Sequence, residues 1–236
     1  MNWVSYWDSC RFANWLQNGQ PTGAQGAGTT ETGTYTLDGY NGNDGRTIGR
    51  NAGATWAVTS DDEWYKAAYY KGGSTSAGYW DYPTSSNTGP GRDMADASGN
   101  NANYYIYGGA YPIDSGKYTT VVGEFQNSAS PYGTFDQGGN VWEWNESIPY
   151  TGVDVSTRLL RGGGFNKEST YLRADSGDQD IPSDVYYDLV PRPTSIDRWG
   201  RHSCLPIDRQ ECLPHCLCNP SFQVGWGTRV PRGKCS

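Results

Sequence analysis

Cysteine and histidine, the side chains that most often act as nucleophiles or bind transition metals, are nearly missing from most of this sequence. Residues 1–189 contain Cys10 and no histidine. They therefore cannot build a Ser/His or Cys/His nucleophile pair, nor a Cys/His zinc site of their own. Any chemistry in this part must use carboxylates, tyrosine, lysine or arginine.

The last 47 residues have the opposite composition. They hold five of the six cysteines and both histidines: Cys204, Cys212, Cys216, Cys218, Cys235, His202 and His215. These are zinc-binding types, but their spacing does not match the C-x2-4-C pairs of the common zinc modules. A zinc site, a disulfide framework and an unfolded tail with free thiols are the three interpretations.

The composition changes at Leu189. Residues 1–189 contain 11 Lys/Arg, 22 Asp/Glu and all 18 tyrosines, whereas the remainder has 7 Lys/Arg and 3 Asp/Glu. This predicts a domain over residues 1–189 and a Cys/Pro-rich basic tail over 190–236 that is not part of it. A frameshift or a fused reading frame would produce such a change.

The overall composition excludes several classes of protein. With 236 residues, 35% hydrophobic and 14% aromatic, the chain has enough apolar material for one core. A net charge of −7 argues against a nucleic-acid or anionic-membrane partner. No apolar run could span a membrane, and the first residues do not form a signal peptide. The sequence leaves the cellular compartment open.

Two helices and four short strands are predicted to position the polar residues. Ser5 with Asp8 forms one capping box, before a helix that ends at Asn18, and Ser60 with Glu63 forms a second, before a helix that continues to Gly72. The predicted strands are residues 55–59, 121–125, 141–144 and 158–160. Gly/Thr/Asn/Ser-rich loops fill most of the remainder.

Four segments, in this order and spacing, carry a resemblance to a known family. They are NWVSYWDSCRFANWL at residues 2–16, VTSDDEWYKAA at 58–68, YGTFDQGGNVWEW at 132–144 and LRGGGF at 160–165. The sequence thereby resembles the formylglycine-generating enzymes, or sulfatase-modifying factor domains. The resemblance implies an irregular, loop-rich α+β fold related to C-type lectins.

The resemblance also implies bound calcium, which takes six to eight oxygen ligands. One implied set has the side chains of Asp136 and Glu143 with the carbonyls of Gly139 and Val141. The other implied set comprises the side chains of Asn103 and Asp114 and the carbonyls of Tyr104 and Gly116. The alternative is that these acids are simply solvated loop residues.

Copper chemistry is where the sequence departs from its relatives. Active members bind copper through two cysteines that follow an R-G-G-S-like turn, since thiolates select Cu(I). Here the serine position is Gly164, and the two cysteine positions are Lys167 and Leu172. Copper binding is therefore not expected, and Cys10 is interpreted as a small core residue.

Both ends of the matching region also differ from the family. Relatives begin with a strand before the first helix, which this chain lacks at its start. They continue after Leu189 with a G-F-R-hydrophobic strand, where this chain has Pro191 and Pro193. Because proline cannot donate to a central ladder, we expect that strand to be unmade. The alternating segment at residues 222–230 is the alternative for it.

Aromatic residues suggest a binding surface. Two tyrosine-rich stretches, residues 69–82 and 104–111, could stack on a sugar or peptide or could fill a core that is poor in aliphatic residues. Trp64, Trp142 and Trp144 are predicted to be core. By resemblance, Arg161, Phe165, Tyr171 and Arg173 would line a ligand cleft, although a solvated acidic loop is the favoured account of the aspartates beside Tyr171 and Arg173.

The sequence thus favours a non-catalytic or diverged binding or structural module of this family. Its ligand would be a protein, peptide or carbohydrate, with calcium as the expected cofactor. Oxidation of a sulfatase cysteine to formylglycine is the enzymatic alternative. A frameshifted gene fragment without independent function is the third.

Overall fold

The computed structural model describes residues 3–74, 76–108 and 118–195. Asp114 and Gly116, the cysteines and histidines of the tail, and residues 222–230 lie outside the described residues. The elements in chain order are α1 (Tyr6–Gln17), β1 (Trp56–Val58), α2 (Asp61–Tyr69), β2 (Trp142–Trp144), β3 (Arg158–Arg161), a 3-10 helix (Ser169–Leu172), β4 (Asp178–Asp180), β5 (Leu189–Val190) and β6 (Pro193–Ser195). Few helices, short strands and many loops make this a mixed, irregular α+β fold, as predicted.

Both helices begin where the capping boxes predict. The Ser5 hydroxyl accepts from the Asp8 amide and the Asp8 carboxylate accepts from the Ser5 amide, and Ser60 and Glu63 repeat the arrangement at α2. Helix α2 ends at Tyr69, earlier than the predicted Gly72, because the chain turns at Tyr70 into an extended conformation. There the Trp80 amide donates to the Tyr69 carbonyl at 2.8 Å. Long-range pairing therefore stops the helix before its glycines.

The strands form two small sheets. One has four strands in the order β4-β3-β2-β5, antiparallel except for the parallel β2–β5 pair, and the other is the antiparallel pair β1–β6. Three of the four predicted strands are confirmed. The prediction for residues 121–125 is wrong, because the segment turns at Gly123, whose φ of +81° suits glycine.

Residues after Leu189 take part in this pairing. Strand β5 lies beside β2, with Leu189 opposite Trp142, and β6 lies beside β1, with Pro193 opposite Val58. The expectation that the prolines leave the closing strand unmade is therefore wrong. Pro193 is the first residue of its strand, a position where proline removes no central ladder bond. The fold thus continues past Leu189 to Ser195.

The largest core cluster joins α1 to the strands. Tyr6, Trp7 and Cys10 from the helix pack with Trp142 and Trp144 from β2. The indole nitrogens of Trp7 and Trp144 donate to backbone carbonyls, at 2.8 Å and 3.0 Å, so the buried polar edges of the rings are satisfied. The predicted core roles of Cys10 and of both tryptophans of β2 are confirmed.

A smaller cluster under α2 contains Trp64 and Tyr69, which confirms Trp64 as core. No helix of the described residues is long and apolar enough to cross a bilayer.

Candidate ligand-binding site

Two glycine-rich turns meet at the end of β3. After Arg161 the chain turns through Gly162 and Gly163, whose φ angles are +93° and +75°. The Gly139 amide donates to the Gly162 carbonyl at 2.8 Å, and a Cβ on Gly162 would lie only 2.9 Å from the Gln137 carbonyl oxygen. Glycine is needed here for both reasons. Two motifs that are about 20 residues apart in the sequence therefore form one surface.

Gly164, the next residue, is buried against Trp142, Asn166 and Asp188, and we call these four residues the Gly164 cluster. A Cβ on Gly164 would lie 3.0 Å from Asn166 Oδ1, 3.4 Å from Trp142 Cδ1 and 3.5 Å from Asp188 Oδ2. The φ of Gly164 is not in the left-handed region. Glycine is therefore favoured here by the close packing of its neighbours and not by the backbone conformation.

The polar side chains of the Gly164 cluster have incomplete hydrogen bonding. Asn166 Nδ2 donates to Asp188 Oδ2 at 3.0 Å and to the Tyr187 hydroxyl at 3.1 Å. Asn166 Oδ1 is buried without a hydrogen-bond partner. Asp188 is 8% exposed, and no Lys or Arg of the described residues forms an ion pair with it. The Gly164 cluster thus contains hydrogen-bond acceptors and negative charge.

Aromatic rings lie beside the Gly164 cluster. Phe165 stacks on Tyr118 at a centroid distance of 5.6 Å and contacts Tyr187 at 5.7 Å, and Tyr187 contacts Trp3 at 5.9 Å. Tyr118, Tyr187 and Trp3 are all more than 40% exposed. These rings form a continuous, partly exposed aromatic rim beside the acceptor groups.

The four residues predicted to line a cleft make different contacts. Phe165 follows Gly164, and Tyr171 lies near the Gly164 cluster because its ring contacts Trp142 at 6.0 Å. Arg161 instead makes a bidentate ion pair with Asp61 at 2.7 Å and 2.9 Å. Arg173 pairs with Asp175 at 2.9 Å.

Arg161 also lines a separate depression of about 400 Å³ beside β4. Its guanidinium donates there to the Ala174 and Ser176 carbonyls. These bonds and the ion pair with Asp61 occupy the Arg161 guanidinium. Arg161 therefore joins the loop at residues 174–176 to the N-terminus of α2.

The two positions where the resemblance implies copper-binding cysteines are occupied by Leu172 and Lys167. Leu172 is fully buried in an apolar cluster with Tyr82, Ala102 and Tyr104. The Lys167 ammonium lies 5.5 Å from the centre of the Tyr171 ring. An aliphatic side chain and an ammonium are not ligands for Cu(I).

Cys10, the remaining thiol of residues 1–189, does not compensate for the lost ligands. It is completely buried in the core cluster beneath α1, and burial raises the pKa of its thiol to about 12. At neutral pH this group is a thiol and not the thiolate that metals and electrophiles require.

The first implied calcium set is already engaged with protein partners. Glu143, 4% exposed, accepts from the Trp64 indole at 2.5 Å and forms an ion pair with Arg192. Burial raises the pKa of its carboxyl, which the Arg192 charge opposes. The carbonyl of Gly139 accepts from the Val141 amide, and Asp136 Oδ2 accepts from the Gly123 amide. A calcium ion here would have to replace Arg192.

The second implied set retains an available ligand. Asn103 is fully buried, its Nδ2 donates to the Tyr118 carbonyl at 2.9 Å, and its Oδ1 is buried with no partner. An orphaned buried oxygen suits a hard cation such as Ca²⁺. Tyr104 follows in the chain. In the described ranges, three or more His, Cys, Asp or Glu side chains never converge, so a site here depends on amide and carbonyl oxygens.

Sequence reasoning missed Asn166, Asp188, Tyr187 and Tyr118 as parts of a site. The available signal was the run of two tyrosines and an aspartate directly before the apolar pair at residues 189–190. The Trp142 amide donates to the Asp188 carbonyl at 2.7 Å, which draws this segment beside the 162–164 turn. That pairing could not be read from local sequence.

Comparisons with known proteins agree with this architecture. The family described as the sulfatase-modifying factor enzyme 1-like domain matches residues 1–189. The solved structure of CarF is similar, with 23% identity and a TM-score of 0.54 over 81% of this chain. Treponema denticola variable protein 1 is similar at 18% identity and a TM-score of 0.54 over 82% of this chain.

These likenesses show the fold alone. The chain spans 66% of the length of CarF and 69% of that of the Treponema denticola protein. No curated protein matches this chain in sequence.

Proposed function

Because this chain belongs to the sulfatase-modifying factor enzyme 1-like domain family, we propose that it is a non-catalytic or diverged member that binds a ligand at the loop surface around the Gly164 cluster. One observation carries the proposal: at the end of β3, where relatives place copper-binding cysteines, this chain has an ammonium and a buried leucine. Beside them lie a buried carboxylate and an orphaned amide oxygen. Hydrogen-bond acceptors on a surface without copper-binding cysteines support binding rather than redox chemistry.

The aromatic rim beside the Gly164 cluster supports recognition of a protein, peptide or carbohydrate. Exposed tyrosine and tryptophan rings offer apolar faces with polar edges, which suits all three classes of ligand. The excess of acidic residues disfavours nucleic acid, whose phosphates would be repelled. Relationship to C-type lectins, implied by the family resemblance, is consistent with a loop surface that binds ligands.

Copper titration tests the non-catalytic proposal. A variant with all five tail cysteines replaced by serine leaves Cys10 as the single thiol of the chain. We expect no stoichiometric, tight Cu(I) binding, because Cys10 is buried and protonated. The matched control is the same variant carrying Lys167→Cys and Leu172→Cys. Tight Cu(I) binding by the tail-cysteine variant itself would overturn the proposal.

We further propose calcium as a structural cofactor, held by the Asn103 side chain and the Tyr104 carbonyl with Asp114 and Gly116. A ligand that binds only the folded state raises the free energy of unfolding by RT ln(1 + [L]/Kd), about 2.7 kcal/mol at a hundredfold excess over Kd. We expect a rise in melting temperature with millimolar calcium that Asn103→Ala abolishes and Glu143→Gln preserves. The readout is the calcium-induced shift, since both substitutions also change the stability without calcium.

A further inference from the structure

We infer that Asn41 is a modification site, at which the side chain loses ammonia by cyclisation with the backbone amide of Gly42. The inference is independent of the proposed binding function. An asparagine before glycine is suited to this reaction, because glycine has no Cβ to hinder attack by its own amide nitrogen. The chain has two asparagine–glycine pairs and two aspartate–glycine pairs that can form the same ring. They are Asn18-Gly19, Asn41-Gly42, Asp38-Gly39 and Asp44-Gly45.

Hydrogen bonding of the glycine amides distinguishes the four pairs. The amide nitrogen is the nucleophile, so a hydrogen bond that it donates must break before it can attack. Within the described ranges the Gly42 amide donates to no acceptor, whereas the amides of the other three glycines all donate. Their acceptors are the Leu16 carbonyl for Gly19 at 3.1 Å, Glu31 Oε2 for Gly39 at 2.7 Å and the Tyr40 hydroxyl for Gly45 at 2.9 Å.

The two asparagine side chains differ in the same direction. Asn18 Nδ2 donates to the Thr29 and Thr32 carbonyls, at 2.9 Å and 2.7 Å, and Asn18 is the residue that caps the C-terminus of α1. Asn41 is exposed, and in the part of the chain that the structure describes its Nδ2 donates no hydrogen bond. Cyclisation at Asn18 therefore has to break three hydrogen bonds that have no counterpart at Asn41.

Arg11 polarises the carbonyl that is attacked. Its Nη1 donates to Asn41 Oδ1 at 2.7 Å. Arg11 is 7% exposed, and its guanidinium is fixed by Glu31 at 2.7 Å and by the Tyr40 carbonyl at 3.1 Å. Attack on Asn41 Cγ places negative charge on Oδ1, and a fixed cationic donor stabilises such an oxyanion. The fold thus leaves the Gly42 nucleophile unbonded and holds a cation at the oxygen that becomes charged.

The reaction consumes only water. The Gly42 nitrogen forms a bond to Asn41 Cγ while the bond from Cγ to Nδ2 breaks, and ammonia leaves with the proton of the Gly42 amide. Water then opens the resulting succinimide at one of its two carbonyls, which gives aspartate or isoaspartate without any change in oxidation state. Isoaspartate also lengthens the main chain directly before Gly42, whose carbonyl accepts from the Trp7 indole at 2.8 Å. The modification therefore reaches the core cluster beneath α1.

Peptide mass spectrometry of the full-length chain, incubated at neutral pH and sampled over time, tests the inference. We expect Asn41 to deamidate about 100-fold faster than Asn18, because each of the three hydrogen bonds at Asn18-Gly19 slows cyclisation roughly fivefold. The same chain unfolded in urea is the matched control, in which both pairs should react at similar rates. Asn41 should react at least as fast in the native chain as in urea, because the unfolded chain lacks the fixed Arg11 donor.

Arg11→Gln tests the part of the arginine. Gln25 and the Gly39 amide still donate to Glu31, and the rate at Asn18 reports on folding, since unfolding would raise it to the rate in urea. We expect deamidation at Asn41 to slow about tenfold or more, the usual loss for one charge-assisted hydrogen bond, with the rate at Asn18 unchanged. Native deamidation as fast at Asn18 as at Asn41 would overturn the inference, as would a rate at Asn41 that is lower in the native chain than in urea.

Discussion

Replacing Arg192 with methionine tests whether the segment after Leu189 is an integral part of the fold. The Arg192 guanidinium forms an ion pair with Glu143 and donates to the Phe135 carbonyl at 3.2 Å. The Glu143 side chain is 5% exposed, whereas that of Arg192 is 24% exposed. Methionine retains most of the aliphatic length and removes the charge. Within the described ranges, the buried Glu143 carboxylate then keeps the Trp64 indole as its one hydrogen-bond donor.

The expected cost is about 3 kcal/mol in the free energy of unfolding. Removing one partner of a buried ion pair costs roughly 3–5 kcal/mol, and the partial exposure of Arg192 places this case at the lower end. For a domain of this size 1 kcal/mol corresponds to about 2–4 °C, so the melting temperature should fall by about 6–12 °C. Urea denaturation followed by tryptophan fluorescence and a thermal melt followed by circular dichroism give both quantities.

Arg173→Met is the matched control. The Arg173–Asp175 pair has a similarly short distance of 2.9 Å, but its side chains are 39% and 70% exposed, so its loss should lower the free energy of unfolding much less than the loss of Arg192. In the Arg192→Met background, Glu143→Gln should recover part of the loss, because an uncharged amide is less costly to bury. Equal effects of the Arg192 and Arg173 substitutions, or no recovery, would refute the reasoning.

Three further predictions concern the chain end, pH and thiol reactivity. A chain truncated after Ser195 should melt cooperatively and resist protease, whereas one truncated after Leu189 should be less stable, because it lacks β6 and Arg192; equal melting temperatures would contradict this. Burial, together with the nearby Asp184, raises the pKa of Asp180 from 3.8 to about 6. Between these two pH values the folded state binds more protons than the unfolded state, so the contribution of Asp180 to the free energy of unfolding falls as the pH rises. Asp180→Asn should therefore flatten this part of the stability–pH profile, and an unchanged profile would speak against the assignment. Cys10 should resist iodoacetamide in native protein and react after unfolding, as peptide mass spectrometry would show; rapid native labelling would mean that the core around α1 opens.

Local features of the fold were predictable because their causes lie within a few residues. The boxes at Ser5 and Ser60 join groups three positions apart, so the sequence alone contains both partners. The end of α2 was not predictable in the same way. Its stop at Tyr69 depends on pairing with Trp80, across a loop whose path no local preference determines.

The motifs indicated the turn at residues 162–164 but not the contacts that its neighbours make. Of the four residues expected to line a cleft, Phe165 and Tyr171 lie near the Gly164 cluster, whereas Arg161 and Arg173 form ion pairs with aspartates. An arginine in a motif does not reveal its partner, because a guanidinium on a long side chain can reach acids from several elements.

The sequence by itself determined which chemistry residues 1–189 can perform, since a side chain that is missing cannot be supplied by folding. It determined the positions of both helix starts, and the family through the order of its motifs. The tertiary structure alone decided that Arg192 pairs with Glu143, and that Asn166 and Asp188 meet over Gly164. These contacts join residues 49 and 22 positions apart. Their existence depends on which strands pair, and pairing is decided by burial over the whole core.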